Sequence, residues 1–214
     1  METCIIFCAG EFEALAEPVR PGDLVVAADG GLTHLRQLGL EPEVVLGDFD
    51  SLGYIPAGAK VFPVEKDDTD SMLAVRLGLE RGYRRFVLYG GLDGKRVDHT
   101  VANFQTLQFL ADRGAVGFLV GLSQIATVVK QGRLLLPAAD AGVISVFCMG
   151  QDAAGVTIEG LQYFMSDGSL NAGFPLGVSN HFVGEKSEIS VKDGSLLVIY
   201  DREIGILEVC HADL

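Results

Sequence analysis

The chain is poor in basic side chains. Its 214 residues include 16 Lys and Arg against 29 Asp and Glu, for a formal net charge of −13. A chain this acidic does not neutralise a phosphate backbone through its overall field, and no local basic patch is evident, so we expect no nucleic-acid partner. The same charge disfavours adhesion to an anionic membrane surface. Apolar residues make up 49% of the chain and charged residues 21%, a balance typical of a globular protein.

Cysteine is also scarce. The four cysteines, Cys4, Cys8, Cys148 and Cys210, are scattered and lie mostly in apolar runs, which favours buried, reduced thiols. Cys4 and Cys8 lack the two-residue gap of a zinc or redox pair, and no further Cys or His follows at ligand spacing. We therefore expect no zinc site.

Long uninterrupted apolar runs are missing as well. Glu11 and Glu13 interrupt the first apolar stretch, which has no basic residues before it, so it does not resemble a signal peptide. The stretch 114–129 is broken by Ser123, Gln124 and Thr127 and is too short to span a bilayer. We expect a cytoplasmic protein without a membrane partner.

The order of apolar runs predicts the fold class. Short, continuously apolar runs alternate with helical patterns in the first half, which is typical of strands with both sheet faces covered. The predicted strands are 4–7, 24–28, 44–47, 60–64, 86–89 and 116–120, and the predicted helices are 32–38, 71–81 and 99–113. After about residue 124, short β-like runs are separated only by turn residues. We expect an α/β fold: a mostly parallel sheet flanked by helices over residues 1–125, then a C-terminal antiparallel β-sandwich over residues 126–214.

Acidic residues follow four of the predicted strands. They are Asp29 after the second strand, Asp48 and Asp50 after the third, Asp67, Asp68 and Asp70 after the fourth, and Asp93 and Asp98 after the fifth. The carboxyl ends of parallel strands lie at one edge of the sheet, where open α/β sheets bind ligands. We expect these carboxylates to meet in one cleft.

Such clustered carboxylates repel one another and need a cation. Mg²⁺ favours a few carboxylates together with water and substrate phosphate, so we expect a Mg²⁺-phosphate site at this edge. Taken singly, Asp29, Asp70 and Asp98 could each be a turn or helix-cap residue. The segment from Asp48 resembles the start of an EF-hand loop, but Ala59 stands where that loop requires Glu.

The usual nucleotide-binding motifs are absent from the sequence. Residues 91–95 are too short for a Walker A loop, Arg96 stands where the Ser or Thr would hold Mg²⁺, and no G-x-G-x-x-G follows a strand. Phosphate contacts would instead come from Lys66, Lys95 and Arg96, helped by glycine-loop amides.

The ordered motifs resemble those of the thiamine pyrophosphokinase family. The N-terminal motifs are Ala28-Asp29-Gly30-Gly31, Gly47-Asp48-Phe49-Asp50-Ser51, Thr69-Asp70, and Arg96-Val97-Asp98-His99 with Asn103. Gly160-Leu161-Gln162-Tyr163 and Val178-Ser179-Asn180 follow in the family's order. The resemblance covers nearly the whole chain, and the combination of GDFDS, TD and R-x-D-H is specific.

The resemblance implies transfer of the pyrophosphoryl group of ATP to the hydroxyl of thiamine, giving thiamine diphosphate and AMP with Mg²⁺. It also implies a homodimer with active sites at the subunit interface. The implied roles divide into three groups. The metal ligands would be Asp48, Asp50 and Asp70; the nucleotide and phosphate residues Asp29, Gly30, Gly31, Arg96, Asp98 and Asn103; and the thiamine residues Tyr163, Ser179 and Asn180. A carboxylate near the attacking hydroxyl, either Asp70 or Asp98, could accept its proton.

Two positions depart from the family pattern. Leu73 stands where members often carry Lys in the turn after the TD pair, and Lys95 stands where the loop often has Gly. Lys66 or Lys95 would then supply the missing phosphate-facing charge. The alternative functions are another Mg²⁺-dependent phosphotransferase or phosphohydrolase, and a non-enzymatic ligand-binding module built on the C-terminal part.

Overall fold

The computed structural model describes residues 1–49, 52–63 and 67–211, and these residues form two compact units. The first unit comprises Met1–Thr106 and Gly117–Leu122, and the second comprises Leu107–Val116 and Ser123–Leu214. Each unit consists of residues that contact one another more than they contact the rest of the chain. The assignment of residues 1–125 to catalysis and of residues 126–214 to thiamine binding stays a prediction.

A mostly parallel sheet forms the first unit. Its strands are β1 (Thr3–Phe7), β2 (Leu24–Ala28), β3 (Val44–Gly47), β4 (Lys60–Val61), β5 (Arg85–Tyr89) and β6 (Val116–Val120). They lie in the order β6-β5-β1-β2-β3-β4, and β1 pairs in parallel with both β2 and β5. β2 pairs in parallel with β3, and β3 with β4. Every residue of β1 and β2 is buried, as expected of strands covered on both faces.

Three helices accompany this sheet: α1 (Leu32–Leu38), α2 (Asp70–Glu80) and α3 (Val97–Ala111). α1 packs on β1 and β2, and α2 packs on β1, β2 and β3. α1 ends at Gly39, which adopts the left-handed conformation (φ 66°) that glycine tolerates best. α2 begins after Thr69, whose side chain accepts a hydrogen bond from the backbone N–H of Met72 (3.2 Å). Both boundaries therefore follow from local capping chemistry.

The second unit is antiparallel. Its strands are β7 (Gln124–Leu136), β8 (Val143–Cys148), β9 (Ala153–Glu159), β10 (Met165–Leu170), β11 (Asn180–His181), β12 (Ser187–Asp201) and β13 (Glu208–His211). β12 pairs with β7 along almost its whole length, with β9 through its first half and with β8 through its second half. β10 pairs with β9, β11 with β8, and β13 with β7.

The predicted fold class is confirmed: a helix-flanked, mostly parallel N-terminal sheet precedes a β-rich C-terminal region. The observed α1 has the predicted bounds, whereas α2 and α3 begin one or two residues earlier than expected. The strand predicted over 60–64 is observed at Lys60–Val61, and residue 64 lies outside the described residues. None of the helices over the described residues combines the length and apolar character needed to cross a lipid bilayer.

Candidate active site

A cleft of about 1280 Å³ lies in the first unit. It is lined by the segments that follow β1, β2, β3 and β5 and by the first residues of α2 and α3. Because β1, β2, β3 and β5 run in parallel, their carboxyl ends meet at one edge of the sheet. Of the residues named at the strand ends, Asp29, Asp48, Asp68, Asp70 and Asp93 line this cleft.

Three of these carboxylates form a cluster. One carboxylate oxygen from each of Asp29, Asp48 and Asp70 lies within 4.8 Å of the other two. Asp29 is buried, whereas Asp48 and Asp70 are half-buried. Like charges at this spacing and burial repel unless a cation offsets them. We refer to Asp29, Asp48 and Asp70 as the three-aspartate cluster.

The backbone turns sharply at the residues that carry the cluster. Asp29 opens a short 3₁₀ turn after β2 with φ of 47°, a left-handed conformation that Asp tolerates better than most residues. Gly31 follows because a Cβ there would lie 1.9 Å from the carbonyl oxygen of Phe7. Phe49 is also left-handed (φ 61°), and its ring is buried beside Asp48. Strained residues of this kind concentrate at functional sites.

Two cationic side chains that line the cleft come from the loop after β5. Lys95 and Arg96 both line the cleft. The Arg96 guanidinium donates from Nη2 to Oδ2 of Asp98 (2.5 Å) and from Nε to Oδ1 (3.2 Å). This hydrogen bonding lowers the pKa of the exposed Asp98 carboxyl and raises the pKa of Arg96. The pair stays charged at neutral pH, so Arg96 keeps a full positive charge at the edge of the cleft.

The donor set of the three-aspartate cluster fits Mg²⁺. Carboxylate oxygens are the hard ligands that this ion prefers, and Mg²⁺ commonly binds through a few carboxylates plus phosphate oxygens. Lys95 and Arg96 supply positive charge suited to phosphate in the same cleft. The arrangement can hold a metal-bound polyphosphate.

Comparison with known proteins agrees with this chemistry. Residues 17–116 match the family model described as thiamin pyrophosphokinase, catalytic domain. Residues 135–196 match the model described as thiamin pyrophosphokinase, vitamin B1 binding domain. The two models together cover most of the chain, in the order that the motifs predict. This chain belongs to the thiamine pyrophosphokinase family.

Individual relatives of this family support the assignment. The thiamine pyrophosphokinase of Bacillus subtilis (strain 168) is 26% identical over 194 residues, which cover 82% of this chain and 86% of the relative. The crystal structure of a Bacillus subtilis thiamine pyrophosphokinase matches with a TM-score of 0.83 at 22% identity, covering 94% of this chain and 99% of the other. The yeast enzyme matches with a TM-score of 0.69 at 15% identity, covering 94% and 85%. The likeness to these solved structures shows the shared fold.

The residues predicted from the sequence to bind ATP and metal lie in different places. Asp29, Asp48, Asp70, Lys95, Arg96 and Asn103 line the cleft. Gly30, Gly31 and Asp98 are not among the described residues that line it. Asp50 and Lys66 lie outside the described residues. The roles of all these residues stay predictions.

The predicted thiamine residues meet in the second unit. The Asn180 carboxamide donates from Nδ2 to the carbonyl oxygen of Tyr163 (2.6 Å) and accepts from the Tyr163 backbone N–H at Oδ1 (2.9 Å). Ser179 has φ of 58°, and its backbone N–H donates to Oγ of Ser145 (3.0 Å). Tyr163 is 60% exposed and therefore available to a ligand. Asn180 is buried and holds Tyr163 in place.

The sequence does not reveal several contacts that shape the cleft. Ser71, which follows the TD pair directly, is buried and hydrogen-bonded to Asn103. Oδ2 of Asp93 accepts from the backbone N–H of Leu122 (2.5 Å), which fixes the loop after β5. Nε2 of His34 lies 2.8 Å from the carbonyl oxygen of Gly10. The one sequence signal for Ser71 is its position directly after the Thr69-Asp70 pair, and this position does not identify Asn103 as its partner.

Proposed function

We propose that the cleft of the first unit binds Mg²⁺-ATP and that the chain transfers the pyrophosphoryl group of ATP to the hydroxyl of thiamine, giving thiamine diphosphate and AMP. The observation that carries this proposal is the three-aspartate cluster, which lies in the same cleft as Lys95 and Arg96 in a chain of this family. The comparisons give no support to a phosphohydrolase or a non-enzymatic binding module.

Transfer of a phosphoryl-type group needs positioning and neutralisation of charge. Asp29, Asp48 and Asp70 would hold Mg²⁺, with Asp50 as a further predicted ligand. The bound ion would neutralise phosphate oxygens and orient the polyphosphate. Arg96 and Lys95 would bind the phosphates from the side of the β5 loop, and Arg96 suits bidentate contact. Asp29, Asp48, Asp70, Lys95 and Arg96 all line the cleft, which supports the roles proposed for these five residues.

A carboxylate is proposed to accept the proton of the attacking hydroxyl late in the transfer. Asp70 and Asp98 are the two candidates. Asp70 lines the cleft, whereas Asp98 is exposed, is paired with Arg96 and is not among the described residues that line the cleft. These observations favour Asp70.

Thiamine is proposed to contact the surface formed by Tyr163, Ser179 and Asn180. The exposed Tyr163 ring offers a face on which an aromatic ring can stack and to which a cationic thiazolium is attracted. We propose that the enzyme is a homodimer in which this surface serves the cleft of the partner subunit. The cytoplasmic location stays a prediction of the sequence.

Product analysis tests the activity. The protein is incubated with ATP, Mg²⁺ and thiamine, and the nucleotides and thiamine esters are separated by chromatography. The proposal expects AMP and thiamine diphosphate in equal amounts, and no turnover in excess EDTA. Thiamine-independent release of phosphate would support a phosphohydrolase instead, and formation of ADP would indicate a different phosphotransferase.

The thiamine surface is tested by Ser179→Ala. This substitution is expected to raise the KM for thiamine with a smaller effect on the KM for ATP. The reverse pattern would contradict the proposed placement of thiamine.

A further inference from the structure

Asn103 uses both ends of its carboxamide within the protein. Its side chain is buried on the first half of α3. Nδ2 donates to the carbonyl oxygen of Gly91 (2.7 Å), and Oδ1 accepts from Oγ of Ser71 (2.9 Å). Because a carbonyl oxygen only accepts, the amide nitrogen must face Gly91 and the amide oxygen must face Ser71. These two contacts fix the orientation of the carboxamide.

The second of these contacts leads to the start of α2. Oγ of Ser71 lies 3.0 Å from Oγ1 of Thr69, and Thr69 caps α2 by accepting from the backbone N–H of Met72. Ser71 and Thr69 are the two neighbours of Asp70 in the chain. The hydrogen-bond network therefore runs from Asn103 to Ser71 and on to Thr69, and so includes both chain neighbours of Asp70.

The first contact leads to the loop that carries the basic side chains. Gly91 fits tightly against Asn103, since a Cβ at Gly91 would lie 3.2 Å from Nδ2 of Asn103. The same loop is fixed by the Thr100 hydroxyl, which donates to the carbonyl oxygen of Leu92 (3.1 Å). Lys95 and Arg96 follow within a few residues. Asn103 thus bridges the segment that bears Asp70 and the segment that bears the phosphate-side cations.

We infer that Asn103 is a positioning residue that sets the place of the Asp70 carboxylate through Ser71 and the place of the Lys95–Arg96 loop through Gly91, rather than a residue that contacts the nucleotide. The inference rests on the proposed function, because it assigns Asp70 to the metal. Hydrogen bonds that orient metal ligands govern metal affinity even where they never touch the ion. Loss of either contact leaves a buried polar group unsatisfied and frees the segment it held.

The test compares Asn103→Ala, Ser71→Ala and the double variant, with Ser71→Thr as the conservative variant that keeps the hydroxyl. Thr106→Val is the matched control. Thr106 carries a buried hydroxyl on the same helix, and this hydroxyl donates to the carbonyl oxygen of Ala102 (3.0 Å). Binding of Mn²⁺ is measured by electron paramagnetic resonance on the full-length protein, together with thermal unfolding, kcat, and the KM for ATP.

If Asn103 positions the Asp70 carboxylate, Asn103→Ala and Ser71→Ala should each weaken Mn²⁺ binding by about tenfold or more in protein that remains folded. Both substitutions should also lower kcat. The double variant should bind Mn²⁺ only slightly more weakly than the more impaired of the two single variants, because both substitutions break the same hydrogen-bond network. Ser71→Thr should restore Mn²⁺ binding, and Thr106→Val should bind Mn²⁺ like the unsubstituted chain.

Two results would overturn the inference. Asn103→Ala could bind Mn²⁺ normally and keep kcat while losing stability alone, which would make the network merely structural. Asn103→Ala could instead raise only the KM for ATP, which would make Asn103 a nucleotide contact. Failure of the proposed function would give a different result. Either the unsubstituted chain would not bind Mn²⁺, or the Asp48→Asn variant would bind Mn²⁺ as well as the unsubstituted chain does.

Discussion

At the scale of single residues, the cleft is governed by negative charges held close together. The three carboxylates of the cluster approach within 4.8 Å, an arrangement that is costly without a cation and favourable with one. The sequence could predict this meeting, because each aspartate directly follows a strand or begins a helix at the same edge of a parallel sheet. It could not predict that Asp98 lies apart and pairs with Arg96, since that depends on how the loop after β5 turns.

The first prediction concerns Asp48→Asn. The substitution should lower kcat by two or more orders of magnitude, because a neutral amide replaces a carboxylate ligand of the proposed metal. Unfolding without Mg²⁺ should occur at the same or a higher temperature, because repulsion within the cluster falls. Steady-state kinetics and calorimetry with and without Mg²⁺ measure both effects. Near-normal turnover would remove Asp48 from the metal site.

The second prediction concerns Gly31, where the chain passes very close to the end of β1. A Cβ at Gly31 would lie 1.9 Å from the carbonyl oxygen of Phe7, so Gly31→Ala should cost about 3 kcal/mol or more of stability. Gly39→Ala is the control. Its Cβ meets no atom within 4 Å, but its φ of 66° should cost about 1 kcal/mol. Urea unfolding measures both variants, and equal losses would show that the close approach is not the reason for Gly31.

At the scale of elements, the sequence predicts best where capping and patterning agree. α1 has the predicted bounds because Gly39 terminates it. The prediction is less complete in the second unit. Two of the short β-like runs, 188–191 and 195–201, are separated by turn residues in the sequence but form the single strand β12. The residues between Val191 and Ser195 form an irregularity in the pairing with β7 rather than a turn. β10 and β11 carry little apolar patterning, and their pairing partners alone define them as strands.

The third prediction concerns the start of α2. Thr69→Ala removes the acceptor for the backbone N–H of Met72 and should cost about 1 kcal/mol of stability. Thr69→Ser keeps the hydroxyl and should lose much less. Chemical unfolding of the two variants in EDTA separates this capping effect from any effect on metal binding. Equal stability of Thr69→Ala and the unsubstituted chain would show that the cap contributes nothing.

At the scale of the whole molecule, the site is assembled from segments far apart in the chain. The hydrogen bond between Ser71 and Asn103 joins residues 32 positions apart, and nothing in either local sequence identifies the partner. The family motifs point to Asn103, which lines the cleft, and the structure gives its contacts. The sequence therefore predicts many of the residues that line the cleft, whereas side-chain packing determines which atoms each of them contacts.

The fourth prediction concerns the proposed homodimer with shared sites. Sedimentation should give twice the chain mass of 22.8 kDa. Asp48→Asn and Ser179→Tyr, each impaired alone, should complement when mixed after reversible dissociation. Random pairing leaves one intact site in each mixed dimer, so about a quarter of full activity should return. A fully active monomer, or no recovery in dimers shown to be mixed, would contradict sites shared between subunits.

The proposed function depends above all on the three-aspartate cluster binding the metal of a bound polyphosphate. The most direct measurement is a crystal structure with Mn²⁺ and a non-hydrolysable ATP analogue, with the ion located by its anomalous signal. We expect a peak about 2.1 Å from carboxylate oxygens of the cluster, with phosphate oxygens as further ligands. A nucleotide bound elsewhere, or a metal bound in the cleft without any of Asp29, Asp48 and Asp70, would contradict it.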